Sequence, residues 1–426
     1  MALPRKLFVM DLFAGCGGLS LGLEQAGFHP AYVNELNKDA IESYLINREK
    51  DHPHLRDAIF HCNDVKELVL KKGQLKKIKD ELKNQLSIDV KSGGLDLLVG
   101  GPPCQGFSGI GHRRSYSVDK EQLPSNHLFE DMAYVVSALK PKIFLFENVK
   151  GLLSAKWTSS GQKGEIWNEV FATFAALKDY KIDFSLVRAK DYGVAQNRPR
   201  VLLVGIRKDI LAKSTGVVKG DVANGFLPNA TGGAIDLIDL LGDLVDPEYK
   251  NGGSNTHYIN PAKQVIQKYF RTTIDGKVLP KGAVLTEQDY SKHATHVIEK
   301  FKYMLANKGV IPEQMKTKKF AQRLLPARWG DDGPSITATS LADDYVHFSQ
   351  PRILTVREWA RLQGFPDFYQ FAGSRTTGGV RRAGNPREGN FARELPKYTQ
   401  IGNAVPVALA RELGEHFKKI IATAES

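Results

Sequence analysis

Four short apolar runs within residues 1–206 constrain the fold of this chain more than any other feature. They are Leu7–Leu12 (LFVMDL), Leu95–Val99 (LDLLV), Ile143–Phe146 (IFLF) and Val201–Ile206 (VLLVGI). A strand covered on one face alternates apolar with polar, whereas a strand covered on both faces reads as a nearly continuous apolar run. Ala31–Asn34 is a further short strand, and helix-like stretches at Ser20–Ala26 and Asp39–Asn47 fall between the runs. Strands alternating with helices predict an α/β fold built on a doubly wound, mainly parallel sheet.

The pattern changes after Arg207. From there to about Gln350 the chain is irregular and rich in Gly, Asn, Asp and Pro, with acids dominating Asp221–Lys250. Between Phe301 and Gly330 seven Lys/Arg stand against the single acid Glu313. Either charge run alone reads as a solvated face. The break in composition predicts a smaller irregular domain over 208–396, beside a main domain made of 1–207 and 397–426. Helices are expected at Thr355–Gln363 and Val407–Thr423. Val65–Lys91, with eight lysines and four acids, reads as a solvated helix outside the sheet core. With 426 residues, 42% of them hydrophobic, the chain can bury cores for both parts. Its formal charge of +12 favours a polyanionic partner and says nothing of fold. Three cysteines make no disulfide framework and fit a reducing compartment. No apolar run is long enough to span a bilayer, and no signal peptide precedes the first strand.

The turns after the strands carry the chemistry. Asp11–Gly22 (DLFAGCGGLSLG) places Gly15, Gly17 and Gly18 between a strand and a helix, where glycine permits a tight turn and a close ligand. Glu35 lies 20 residues after Gly15, the spacing at which Rossmann-type sites hold ribose hydroxyls. This loop does not by itself separate a nicotinamide dinucleotide from S-adenosylmethionine. Gly100–Ser108 (GGPPCQGFS) puts Cys104 just past a strand end, where open α/β sheets keep their active sites, with two prolines stiffening the turn. Cys16 and Cys62 read as inert buried residues. Glu147, in FLFENV, follows another strand, where partial desolvation would raise its pKa and fit it to donate a proton. Arg198 and Arg200, in QNRPR, precede a buried strand; they are either donor forks for a ligand or a strand-flanking surface pair.

Taken in order, these segments resemble the DNA cytosine-5 methyltransferase family of bacterial restriction-modification systems. DLFAGCGG, NEL (Asn34–Leu36) and NDV (Asn63–Val65) are similar to its cofactor segments. PPCQ and ENV resemble its nucleophile and acid segments, and QNRPR its Q-x-R-x-R pattern. LTVREWARLQGFPD (Leu354–Asp367) and QIGNAVP (Gln400–Pro406) resemble its late segments. The resemblance covers Lys6–Arg207 and Pro351–Phe417. It implies a Rossmann-like catalytic domain, a target-recognition domain over the irregular part, and transfer of a methyl group to C5 of a cytosine flipped out of double-stranded DNA.

The roles that follow from the resemblance are specific. Cys104 would attack C6, Glu147 would protonate or hydrogen bond N3, Arg200 would hold O2, and Arg198 would support the same pocket. The S-adenosyl-L-methionine site would be formed by Phe13, Gly15, Gly17, Glu35, Leu36, Asp64, Val65, Pro103, Leu128 and Asn403, with S-adenosyl-L-homocysteine as product. DNA would meet Gln105, Ser108, Arg113, Arg114, Lys316 and Thr337. No metal is expected. A monomer in the bacterial cytoplasm, on the nucleoid through DNA and paired with a cognate restriction endonuclease, completes the expectation. Leu36 departs from the family, which often has an aromatic residue there. Gly373–Pro396, with five arginines, and the lysine-rich stretch after Val65 are extra. An RNA-directed relative would carry a C-F-T tripeptide that is absent here. A dehydrogenase would leave PPCQ and ENV idle, and a non-catalytic relative would have lost Cys104 or Glu147.

Overall fold

The computed structural model describes residues 5–90, 93–103, 127–158, 160–218, 225–233, 235–316, 321–328, 335, 342–376 and 394–426. Contacts divide the chain into two compact units. The first, here the sheet unit, comprises Met1–Arg188, Pro199–Thr231 and Ala408–Ser426; the second comprises Ala189–Arg198 and Gly232–Val407.

The sheet unit is built on seven strands: β1 (Leu7–Leu12), β2 (Phe28–Asn34), β3 (His61–Cys62), β4 (Leu97–Gly100), β5 (Ile143–Val149), β6 (Tyr180–Arg188) and β7 (Pro199–Arg207). Their order is β3-β2-β1-β4-β5-β7-β6. The contacts from β3 through β5 are all parallel, while β7 runs antiparallel to both β5 and β6. The mainly parallel α/β sheet expected from the apolar runs is therefore present. Val9, Met10, Leu97, Leu98, Phe144, Leu145, Leu202 and Leu203 are all fully buried, as strands covered on both faces require.

Register aligns the strand ends. Leu12 lies opposite Asn34 on one side and Gly100 on the other, and Gly100 lies opposite Phe146. The order reverses between β1 and β4, and in open α/β sheets ligands bind outside the carboxyl ends at such a switch point. The glycine loop leaves β1 there, and the PPC turn leaves β4 beside it.

At the opposite end of the strands, Asp96 is fully buried and gathers charge. It accepts from Arg5 at 2.6 and 2.9 Å and from Lys142 at 2.9 Å. Both cations also pair with Glu425, on the helix Val407–Glu425.

Some elements differ from the sequence reading. β6 (YKIDFSLVR) was not expected; it is an edge strand with partial burial and weak apolar content. Helices Leu128–Leu139 and Glu165–Ala175 were likewise not expected. The lysine-rich stretch forms the helices Lys66–Leu70 and Gln74–Leu86, and Ile78 and Leu82 of the latter enter the main core. It is amphipathic and packed rather than standing outside the core.

The contact boundaries also run differently from 208–396. Residues 208–231 group with the sheet unit, where His416 bonds the Gly225 carbonyl at 2.8 Å. Residues 397–407 group with the second unit, because Gln363 donates to the Ile401 carbonyl at 2.7 Å and Tyr398 to that of Leu354 at 3.0 Å.

The second unit has little regular structure, chiefly the helices Val265–Arg271, Thr295–Ala306, Val356–Gln363 and Lys397–Asn403. Thr355 caps Val356–Gln363 reciprocally with Glu358, and Gly364 ends it in a left-handed turn. Every residue of that helix is buried, its arginines included. Arg361 bonds Asp243 and Asp367 at 2.6 Å each, Arg271 bonds Asp243 at 2.6 Å, and Arg352 grips both oxygens of Glu358 at 2.7 Å.

Candidate active site

In the sheet unit, β5 and β7 bring a carboxylate and a guanidinium together. Glu147 is opposite Leu202, and Val149 is opposite Arg200. Glu147 and Arg200 are therefore diagonal neighbours on one face of an antiparallel pair, within reach of long side chains. The Arg200 Nε lies 2.5 Å from the Glu147 Oε1, and both residues are buried. Because β7 is reversed, the start of its chain falls beside the end of β5.

Asn148 points the other way and donates to the Pro102 carbonyl at 3.1 Å. That bond pins the PP turn that leads into Cys104 to the end of β5. Gly101 lies so close that a Cβ there would come 2.9 Å from the Glu147 Oε2. Glu147 is thus packed against the turn that carries the candidate nucleophile. Cys104 itself lies outside the described residues, as do Gln105, Ser108, Arg113, Arg114 and Thr337.

The glycine loop is held in a costly shape. Phe13, Gly15 and Gly17 all have left-handed backbones, with φ of 58°, 57° and 87°. A non-glycine residue such as Phe13 persists in that region only when its surroundings fix it. Asn34 accepts from the Phe13 amide through its side chain at 3.3 Å and from the Ala14 amide through its carbonyl at 2.9 Å. Its side chain also donates to the carbonyls of Cys62 and Asn63, tying the ends of β1, β2 and β3 together. Glu35 accepts the Gly15 amide at 2.9 Å with one oxygen and the Asn37 amide at 2.8 Å with the other. Burial pushes its carboxyl above the usual range, with these amides pulling the other way.

Glu35 therefore shapes the loop, and a carboxylate's remaining lone pairs are left for ligand hydroxyls. A Cβ on Gly15 would meet nothing within 4 Å, so space is open over the loop. Leu36 beside it is 71% exposed.

The family model of C-5 cytosine-specific DNA methylases matches residues 7–419. The chain belongs to that family.

Relatives agree over nearly the whole length. A Type II methyltransferase, M.DdeI of Desulfomicrobium norvegicum, is 29% identical, with 96% of this chain and 87% of the relative covered. Another, M.XorII of Xanthomonas oryzae, is 30% identical, with 97% and 84% covered. Among solved structures, a putative DNA modification methyltransferase encoded within an E. coli prophage shares the fold. Its TM-score is 0.63 at 24% identity, with 98% of this chain and all of that one covered. As a C-5 cytosine-specific DNA methylase, the protein transfers a methyl group from a methyl donor to carbon 5 of cytosine in DNA.

The other expected residues of this methylase fall as follows. Asp64, exposed, and Val65, buried, follow β3. Pro103 is exposed at the described end of the turn, and Leu128 opens the helix Leu128–Leu139. These positions follow strand ends or begin the next helix. Asn403 ends a helix of the second unit and is exposed.

Arg198 does not share its neighbour's surroundings. It belongs to the second unit, where its Nη2 donates to the Gly402 carbonyl at 2.7 Å. Gln196 likewise donates to Gln363 at 2.7 Å. Gln196 and Arg198 thus hold groups of the late segments, while Arg200 pairs with Glu147. Lys316 is exposed and pairs with Glu313. Cys16 and Cys62 are buried free thiols, and burial pushes them up to about 12 and about 11, which leaves them unreactive.

Among the described residues one group could accept a metal ion: His127, Glu130 and Glu169, with ligand atoms within 4.8 Å of one another. His127 also stacks on Trp157 at 5.1 Å. Nothing in the residue pattern signalled the anchoring roles of Asn34 and Asn148, although both sit inside segments that resemble the family.

Proposed function

We propose that the protein methylates one cytosine within a specific double-stranded DNA sequence, using S-adenosyl-L-methionine, by way of a covalent bond between Cys104 and C6. The observation that carries this reading is the Glu147–Arg200 pair standing against the turn that leads into Cys104.

A cytosine ring is a poor electrophile. Glu147, by hydrogen bonding or protonating N3, and Arg200, by donating to O2, draw electrons from it. The Cys104 thiolate then adds to C6, C5 becomes nucleophilic and takes the methyl group, and loss of the C5 proton expels Cys104. Covalent addition splits one difficult step into easier ones. The donor supplies an electrophilic methyl group. Glu35 would hold its ribose, Leu36, Asp64 and Val65 its base, and Phe13, Gly15 and Gly17 its amino-acid end, with Pro103, Leu128 and Asn403 completing the site.

We assign the second unit to target recognition, with Lys316 and Thr337 at the DNA, and Gln105, Ser108, Arg113 and Arg114 to the DNA side of the nucleophile turn. We read the enzyme as a monomer on DNA in a bacterial cytoplasm, paired with a restriction endonuclease of the same specificity; the relatives' names as Type II methyltransferases support the pairing alone. No helix among the described residues is long and apolar enough to cross a membrane.

Fluorine at C5 of the target cytosine tests the mechanism, since fluorine cannot leave as a cation. Enzyme, S-adenosyl-L-methionine and 5-fluorocytosine DNA should form a complex stable to denaturing electrophoresis, mapping to the peptide Gly101–Phe107. Cys104→Ser should abolish it, because a hydroxyl is far less ionised than a thiol. Cys16→Ser and Cys62→Ser should not. An adduct that survives Cys104→Ser, or maps elsewhere, overturns the mechanism.

A further inference from the structure

Every polar hold on the glycine loop described so far comes from the end of β2. One more comes from beyond the next helix. Arg48 follows the helix Lys38–Ile46 and its cap Asn47, and is 2% exposed. Its Nη2 donates to the Gly17 carbonyl at 3.2 Å and to the Glu24 Oε1 at 2.5 Å. Its Nε reaches the same Glu24 oxygen at 2.8 Å, and its Nη1 donates to the Tyr44 carbonyl at 2.9 Å. The guanidinium lies over the Tyr44 ring, 3.8 Å from its centre. The Tyr44 hydroxyl meets the Ser20 hydroxyl at 2.9 Å, and Ser20 donates to the buried Asp11 at 2.6 Å. One fork thus joins the last left-handed residue of the loop, the helix that follows it, and a buried chain leading back to β1.

We propose that Arg48 is a positioning residue for the methyl donor: by holding the Gly17 carbonyl and Glu24 together, it keeps the loop in the left-handed form that receives the donor. The proposal rests on the reading that this loop takes S-adenosyl-L-methionine. Two features separate it from a merely structural role. The Gly17 carbonyl also accepts the first bond of its helix, from the Leu21 amide at 2.9 Å, so the helix does not need Arg48 to satisfy that group. The two holds also run through different bonds, Nη2 alone reaching the Gly17 carbonyl while Nε and Nη2 both reach Glu24. Loop shape and ion pair can therefore be removed separately.

The test compares Arg48→Lys, Arg48→Met and the double variant Arg48→Met/Glu24→Met by titration calorimetry with S-adenosyl-L-homocysteine, steady-state kinetics and thermal unfolding. All three should bind the probe about tenfold to a hundredfold more weakly, the range of a hydrogen bond to a charged group. The KM for the donor should rise alike, with the KM for DNA and kcat at saturating donor within about threefold of wild type. The double variant, which leaves no unpaired buried charge, should recover the melting temperature lost in Arg48→Met while its probe affinity stays low. Wild-type affinity in Arg48→Lys overturns the proposal, as does affinity that returns with stability in the double variant. Wild-type enzyme that binds DNA but not the probe defeats the donor reading itself, and this proposal with it.

Discussion

The two units are stabilised by opposite means. Beneath the candidate site the sheet unit has an apolar core, Val9 through Leu203, with polar groups gathered at the strand ends. The second unit buries Arg271, Arg352, Arg357 and Arg361 almost completely, against Asp243, Glu358 and Asp367. An apolar core tolerates neighbours of similar volume, while a buried ion pair demands its partner in place. The contrast predicts that one polar change in the sheet unit costs rate, and one in the second unit costs folding.

The largest effect should come from Glu147→Gln, which keeps the shape but cannot transfer a proton to N3. Methyl transfer at saturating DNA and donor should fall by ~10²–10⁴, the range of general acid catalysis. A rate within about threefold of wild type removes Glu147 from its role. In the second unit, Asp243→Asn leaves Arg271 and Arg361 sharing a neutral group. It should cost about 3–5 kcal/mol in urea unfolding, as loss of one partner from a buried pair does. An unchanged midpoint would show that the ionic core does not hold this unit.

A change that touches only packing should hurt the sheet unit. A Cβ at Gly205 would come 2.0 Å from the ring of Phe144, its partner across β5 and β7. Gly205→Ala should cost about 1–3 kcal/mol, as overpacking does, with the Glu147–Arg200 chemistry retained in the folded fraction. Activity lost without loss of stability would contradict that.

The smallest effect is a difference in slope with pH. Burial pushes Asp11 up to about 7, against the Ser20 hydrogen bond and Arg48. Unfolded Asp11 ionises near 3.8, so as pH rises from there to about 7 the unfolded state alone sheds this proton and stability falls. In the second unit, burial and then Arg352 lower His347 to about 3 from 6.5. Burial raises Glu358, but Arg352, His347 and the Thr355 amide outweigh it and bring it to about 2 from 4.5. Both groups contribute stability above their unfolded values. His347 loses its contribution as pH falls from about 6.5 towards 3, and Glu358 as it falls from about 4.5 towards 2. Each contribution is isolated by removing its group: between pH 4.5 and pH 7, Asp11→Asn should lose a contribution that protects sheet-unit amides at the lower pH, and His347→Gln one that protects second-unit amides at the higher, both read by hydrogen exchange against the wild type. The two variants changing the slope in the same direction would break the contrast.

The same contrast explains what the sequence disclosed. Apolar runs betray strands buried on both faces, and β1 was legible to the residue. β6 was not, because an edge strand with intermediate burial has no such run. The chemistry of the site was legible as residue types at strand ends. The Glu147–Arg200 pairing was not, since it depends on β7 running backwards, which no local pattern encodes. In the second unit the general rule that charged side chains face water fails: Arg357 and Arg361 lie on a helix, and both are buried. The helix expected at Thr355–Gln363 is present there, capped reciprocally by Thr355 and Glu358. Arg48 lies in no motif, and Asn148 lies in one, ENV, that points to its neighbour Glu147 instead.

The charged knot at the far end of the sheet has a consequence in time. Arg5 and Lys142 both wait on Glu425, which lies on the last helix. During synthesis the sheet unit is therefore made in instalments, with the long stretch Gly232–Val407 of the other unit in between. At about 5–20 residues per second, a ribosome spends on the order of ten to thirty seconds on that stretch. Throughout that interval the buried Asp96 holds its early cations without their last counter-charge. A nascent chain stalled there would carry both strands of the Glu147–Arg200 pair on a scaffold not yet fastened shut.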